Sequence, residues 1–321
     1  MDGRTDRLRR VFGVSERAAP WLGSRLAWRL WATPTRPNAK AVALSREGGM
    51  GEVRSVRIEL PDWTGRRPTR RDGSPKPPQT TDIVVELLGP ADGPVVYLLH
   101  GWGGWRGQFA PLGRRLAARG YRVVLIDAPN HGDSGPGALG RKQSLLPDFS
   151  LALDRVIRAF GPAHAVVGHS LGAACSALVL LDGVAAERAV LIAPPIDPVA
   201  FTQRLAKTLG FGERIRTRMV GIGERRTGIA LAGLALPARV VDRTDLPPTL
   251  VVHDAHDPVV SVTSGRILAE AWPDARIVET SQLGHNKILR DEKVVSMVAG
   301  FIEGESARQG CGVNNGTTLA G

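Results

Sequence analysis

The sequence predicts an α/β fold, a mostly parallel sheet with helices on both faces, and three observations lead there. From residue 94 onward short, nearly continuous apolar runs recur at 95–99, 121–126, 163–167, 188–192, 249–252 and 275–278, which is how strands covered on both faces read. Helix-like stretches separate these runs, as crossovers between parallel strands require. The 321 residues, 43% of them hydrophobic, can bury one large core and exclude a wholly disordered chain.

In chain order, residues 1–50 read as a basic extension with one short amphipathic helix. Trp21, Leu22, Leu26, Ala27, Leu30 and Trp31 recur near helical spacing before Pro34 and Pro37 stop the run. Such a helix either packs along the protein body, the preferred reading, or makes weak peripheral contact with an anionic membrane through its Arg and Trp residues. Residues 53–60 and 82–88 read as antiparallel strands joined by a mobile hairpin loop over 64–80, where turn formers and charge carry no apolar periodicity. The main domain then spans 51–303. About 50 residues separate the runs ending near Ile192 and beginning near Thr249, more than a crossover needs, so an inserted helical cap is expected at about 197–243. Residues 304–321 are rich in Gly, Asn and Thr and are expected to be disordered.

Charge and cysteine content narrow the class further. Of 42 Lys and Arg and 31 Asp and Glu, 17 and 8 fall in the first 80 residues, so the net charge of +11 belongs to the N-terminal part. No helix-turn-helix, zinc or RNA-binding pattern accompanies it, and no nucleic-acid partner is expected. Cys175 and Cys311 cannot build a disulfide framework, which fits a reducing cytoplasm. No stretch approaches the roughly 20 apolar residues of a membrane span, and no signal peptide is apparent.

The strongest chemical signal is Gly168-His169-Ser170-Leu171-Gly172, between a strand-like Ala-Val-Val and a helix-like run. A serine on a tight strand-to-helix turn needs small neighbours, which the glycines supply. A serine hydroxyl also needs a base, and the base a group to orient it. His285, after the last expected strand, is the candidate base. Asp257 is the preferred acid because it lies farther past its strand than its rival Asp254, beside Pro258. His253 and His256 lack further ligands at metal-binding spacing, so no metal is expected. Two backbone N–H groups would hold an oxyanion, one from Leu171 and one from Trp102 in the glycine-rich loop 100–105. Trp105 and His169 are candidates for the substrate pocket, with plain packing as the alternative for the aromatic rings.

These residues resemble the α/β-hydrolase superfamily over roughly 50–303. The matching pieces are His-Gly-Trp-Gly-Gly at 100–104, Asp-Ala-Pro-Asn-His-Gly-Asp-Ser at 127–134, Gly-His-Ser-Leu-Gly at 168–172, His-Asp-Ala-His-Asp-Pro-Val-Val at 253–260 and Gly-His at 284–285. In the second piece Ala128 and Asn130 depart from the commoner Asp-x-Pro-Gly-His-Gly-x-Ser, and His131 is usually structural. The segments 30–37 and 284–291 look like a bacterial subgroup described only as hydrolases. The resemblance, with Ser170 as nucleophile, implies a serine hydrolase that needs no cofactor, but it gives no substrate; a small or medium carboxylic ester is the first choice as the least committed reading. The Arg-rich cap, with Arg204, Arg214, Arg216, Arg218, Arg225 and Arg226, leaves an acyl-coenzyme A-like thioester as the alternative. A non-catalytic binding protein that keeps the hydrolase shell is the third reading.

Overall fold

In the computed structural model, residues 3–35, 42–43, 51–62, 72, 74 and 77–304 are described. Two N-terminal helices, α1 (Gly3–Ala18) and α2 (Pro20–Ala32), precede strands β1 (Glu52–Glu59), β2 (Thr80–Leu88) and β3 (Val95–Leu99). Then come α3 (Ala110–Ala117), β4 (Arg122–Ile126), α4 (Leu146–Phe160), β5 (Ala163–His169), α5 (Leu171–Leu181) and β6 (Ala186–Ile192). Between β6 and β7 (Thr249–Asp254) lie α6 (Pro198–Leu209), α7 (Glu213–Thr227) and α8 (Leu236–Val240). The chain continues with α9 (Val262–Ala271), β8 (Ala275–Thr280), α10 (Gly284–Lys287) and α11 (Glu292–Glu303).

The eight strands form one sheet in the order β1-β2-β4-β3-β5-β6-β7-β8. The pairs β1–β2 and β2–β4 are antiparallel, and every later pair is parallel. The parallel strands explain the continuous apolar runs. On β3, Val96 and Leu98 enter one core with Phe109, Leu112 and Val295, while Val95, Tyr97 and Leu99 enter the opposite core with Phe149 and Val156. Because successive side chains point to opposite faces and both faces are covered, no position in the strand is free to be polar. Strand β1, at the edge, is mostly exposed.

Local differences from the sequence reading have identifiable causes. The extension holds two helices rather than one. Helix α1 has a weak apolar stripe, yet Phe12 is fully buried, its ring 4.9 Å from that of Phe211 in the β6–β7 insertion. Tertiary contact, not periodicity, makes this helix. Strands β5 and β7 run on to His169 and Asp254. The 304–321 tail after Gly304 and most of the 64–80 hairpin lie outside the described residues. No helix among the described residues is long and apolar enough to cross a membrane.

Candidate active site

The turn from β5 into α5 carries Ser170 at φ 52° and ψ −123°, a conformation that a non-glycine residue adopts only under strain. Its neighbours explain the two glycines. A Cβ on Gly172 would lie 2.3 Å from the Leu99 carbonyl oxygen, and one on Gly168 would lie 2.4 Å from the Gly172 carbonyl oxygen. The Ser170 N–H donates to the Ile192 carbonyl at 2.8 Å, tying the turn to β6. Leu171 opens α5, so its N–H has no carbonyl four residues back to bond.

The loop after β3 is pressed against this turn. A Cβ on Gly101 would meet the Ser170 Cβ at 2.9 Å, and Gly103 takes φ 67°. His100 fixes the loop: Nδ1–H donates to the Gly101 carbonyl at 2.7 Å, while Nε2 accepts from the Ala128 N–H at 3.1 Å. Burial pulls this imidazole down to about 4, so it stays neutral with that tautomer. Trp102 lines the cavity in front of Ser170, packed edge-on to His131 with centroids 5.4 Å apart. Trp105 does not reach the cavity. Its ring is buried and covers Gly107, where a Cβ would approach it to 2.2 Å, so it packs the base of the loop.

The loops after β7 and β8 bring a carboxylate to an imidazole. His285, on α10, donates through Nδ1 to Asp257 Oδ2 at 2.6 Å, and the other Asp257 oxygen accepts the N–H groups of Val259 at 2.7 Å and Val260 at 2.9 Å. Burial pushes the Asp257 carboxyl up, but these donors outweigh it and hold the group below the ordinary carboxylate range. Asp254 instead accepts from the His256 N–H at 3.0 Å, the Thr280 hydroxyl at 2.9 Å and the Leu283 N–H at 2.9 Å. It braces the two loops that meet there. His253, which sequence reasoning gave no part, donates to the Val260 carbonyl at 3.0 Å with its Nε2 3.7 Å from Asp257 Oδ2.

His169, next to Ser170 in the chain, donates Nε2–H to the His285 carbonyl at 2.8 Å, with the two rings 4.7 Å apart. Burial, then the neighbouring His285, pulls His169 down to about 3, so it is neutral and acts as a spacer between the two loops. Ser170, His169 and His285 line one cavity of about 520 Å³. Among the described residues no hydrogen bond reaches the Ser170 hydroxyl, which leaves it free toward that cavity.

The 127–134 loop is a scaffold. The Arg106 backbone N–H donates to Asp127 Oδ1 at 2.7 Å, and its guanidinium meets Asp127, Glu86 at 3.1 Å and Asp133 at 2.9 Å. Asn130, where the commoner pattern has glycine, has φ 61°; asparagine tolerates this left-handed region better than most residues. Its amide also donates to the Gly140 carbonyl at 3.0 Å, while its oxygen accepts the Lys142 N–H at 3.0 Å.

Of the six arginines that the sequence singled out in the β6–β7 insertion, four bond within the protein. Arg204 holds the Pro258 and Val259 carbonyls, Arg214 reaches the Glu16 carbonyl at 3.4 Å, Arg216 pairs with Glu213 at 2.7 Å, and Arg226 reaches Gln143 at 3.1 Å. Among the described residues no group of three or more His, Cys, Asp or Glu is arranged to hold a metal ion.

The model of the alpha/beta hydrolase family matches residues 96–297. The chain belongs to this family. A pimeloyl-[acyl-carrier protein] methyl ester esterase of Chromobacterium violaceum is 29% identical over 252 residues, 66% of this chain and 94% of that protein. The magnesium-chelatase 30 kDa subunit of Rhodobacter capsulatus is 41% identical over 96 residues, 29% of this chain and 32% of that protein. Among solved structures, an esterase from Pyrococcus furiosus superposes with TM-score 0.56; its sequence is 17% identical, and the match covers 85% of this chain and 98% of that one. At that identity the likeness of this α/β hydrolase to the archaeal esterase is one of fold.

Proposed function

We propose that the protein is a carboxylic ester hydrolase that works through an acyl-serine at Ser170. The observation that carries this reading is the 2.6 Å His285–Asp257 bond opening on the same cavity as a serine held on a strained turn. Asp257 fixes His285 with Nδ1 protonated, leaving Nε2 to accept the Ser170 proton as the hydroxyl attacks the ester carbonyl. The backbone N–H groups of Trp102 and Leu171 stabilise the oxyanion. His285 then protonates the departing alcohol and activates the water that releases the acid. The esterase relative agrees with this chemistry. A phosphate-bearing thioester is less favoured, because four of the six arginines counted toward its phosphates are occupied by protein partners.

The test is steady-state hydrolysis of p-nitrophenyl esters by wild type and Ser170→Ala. Turnover should fall by roughly 10⁴-fold or more in the variant, and a fall under about tenfold would overturn the acyl-serine reading.

A further inference from the structure

The family match begins at residue 96, yet part of the cavity wall comes from far upstream. Trp28, Leu30 and Trp31 of α2 line the cavity together with Ser170 and His285. Helix α2 lies on α7 so closely that a Cβ on Gly23 would come within 2.4 Å of the Ile215 side chain, and one on Gly223 within 2.7 Å of the Trp28 ring. The Arg226 guanidinium sits 5.5 Å over that same ring.

Helix α1 fastens the corner between α6 and α7. The Glu16 carboxylate accepts the N–H groups of Gly212 at 3.0 Å, Arg214 at 3.1 Å and Ile215 at 3.3 Å, and Arg9 donates to the Thr208 carbonyl at 2.9 Å. At the end of α2 and just past it the chain reaches the site itself. The Ala32 carbonyl accepts the Ser144 N–H at 2.9 Å, and Thr35 lies against Gly103, where a Cβ would meet its hydroxyl at 2.1 Å.

We infer that α2 forms, with α6 and α7, the roof of the acyl pocket, braced from outside by α1, and that Leu30 and Trp31 set the length of the acyl group it accepts. The substrate class is then an ester of an uncharged, apolar acid. Among the described residues that line it, Glu224 is the only Asp, Glu, Lys or Arg, so an acyl group ending in a carboxylate finds a like charge and no described cation there. This inference rests on the serine-esterase reading above.

The test compares kcat/KM across p-nitrophenyl esters of increasing acyl length for wild type, Trp31→Ala and Leu30→Phe, with alkylphosphonate labelling of Ser170 in the same samples. Removing the indole should move the optimum to longer chains, raising the long-to-short ratio roughly tenfold or more, because each methylene accommodated is worth that order of discrimination. Adding bulk at position 30 should move it the other way, and this variant decides the matter if Trp31→Ala does not fold. Superimposable length profiles on proteins labelled at Ser170 would overturn the pocket role and leave the esterase reading standing. Absence of label on the folded wild type would instead sink the esterase reading and this inference with it.

Discussion

Asp254 and Asp257 lie three residues apart, and their surroundings separate them. Asp254 spends its oxygens on two backbone N–H groups and a hydroxyl from different loops, whereas Asp257 gives one oxygen to His285. Replacing Asp254 by Ala should strand those donors and cost about 3 kcal/mol of stability in urea unfolding. Asp257→Asn should leave the geometry nearly intact yet lower kcat roughly 10⁴-fold by favouring the wrong imidazole tautomer. A larger kcat loss in the Asp254 variant than in Asp257→Asn would reverse the assignment. The candidate residues Ser170, Asp257 and His285 could be singled out in the sequence because each sits in a short motif whose neighbours report its backbone. Leu30 and Trp31 were legible only as part of an apolar stripe, and Trp28 was not singled out, since the length of chain between them and Ser170 hides their meeting. Trp105 read as a pocket candidate because a glycine-rich loop does not reveal which of its two indoles turns inward.

The elements follow the same division. Strands buried on both faces declare themselves as unbroken apolar runs, so β3 to β7 were readable to within a few residues. Helix α1 was not, because the capping of α7 by Glu16 and the Phe12–Phe211 contact that hold it join positions about 200 residues apart. The entry to α4 has a pH dependence of its own. Asp148 accepts the N–H groups of Leu145 at 2.9 Å and Ala138 at 3.1 Å, and burial pushes its carboxyl up to about 6. Between the unfolded value of about 4 and this folded value, the native state holds the proton that the unfolded state has released. The stability this group contributes is therefore complete below about pH 4 and lost as pH rises through about 6. Asp148→Asn removes that titration. Relative to wild type, the variant should gain about 3 kcal/mol between pH 4 and pH 7 in urea unfolding, and a constant difference across that range would show that Asp148 does not titrate there.

At the scale of the whole molecule, the sheet order puts β5 between β3 and β6, so the loops after β3, β5, β7 and β8 converge at one carboxyl edge of the sheet, where α/β proteins bind ligands. Helix α2 meets α6 and α7 above that edge, and the three line the cavity. The basic excess of the chain is in part structural, with arginines holding backbone carbonyls and the Gln143 amide oxygen across the junction of these layers. All of this converges on one hydroxyl. The most direct measurement is treatment of the wild-type protein with a fluorophosphonate, followed by peptide mass spectrometry to locate the adduct. A single adduct on Ser170, absent from Ser170→Ala, is the predicted result, and a folded protein that carries no adduct, or carries it on another residue, would contradict the account.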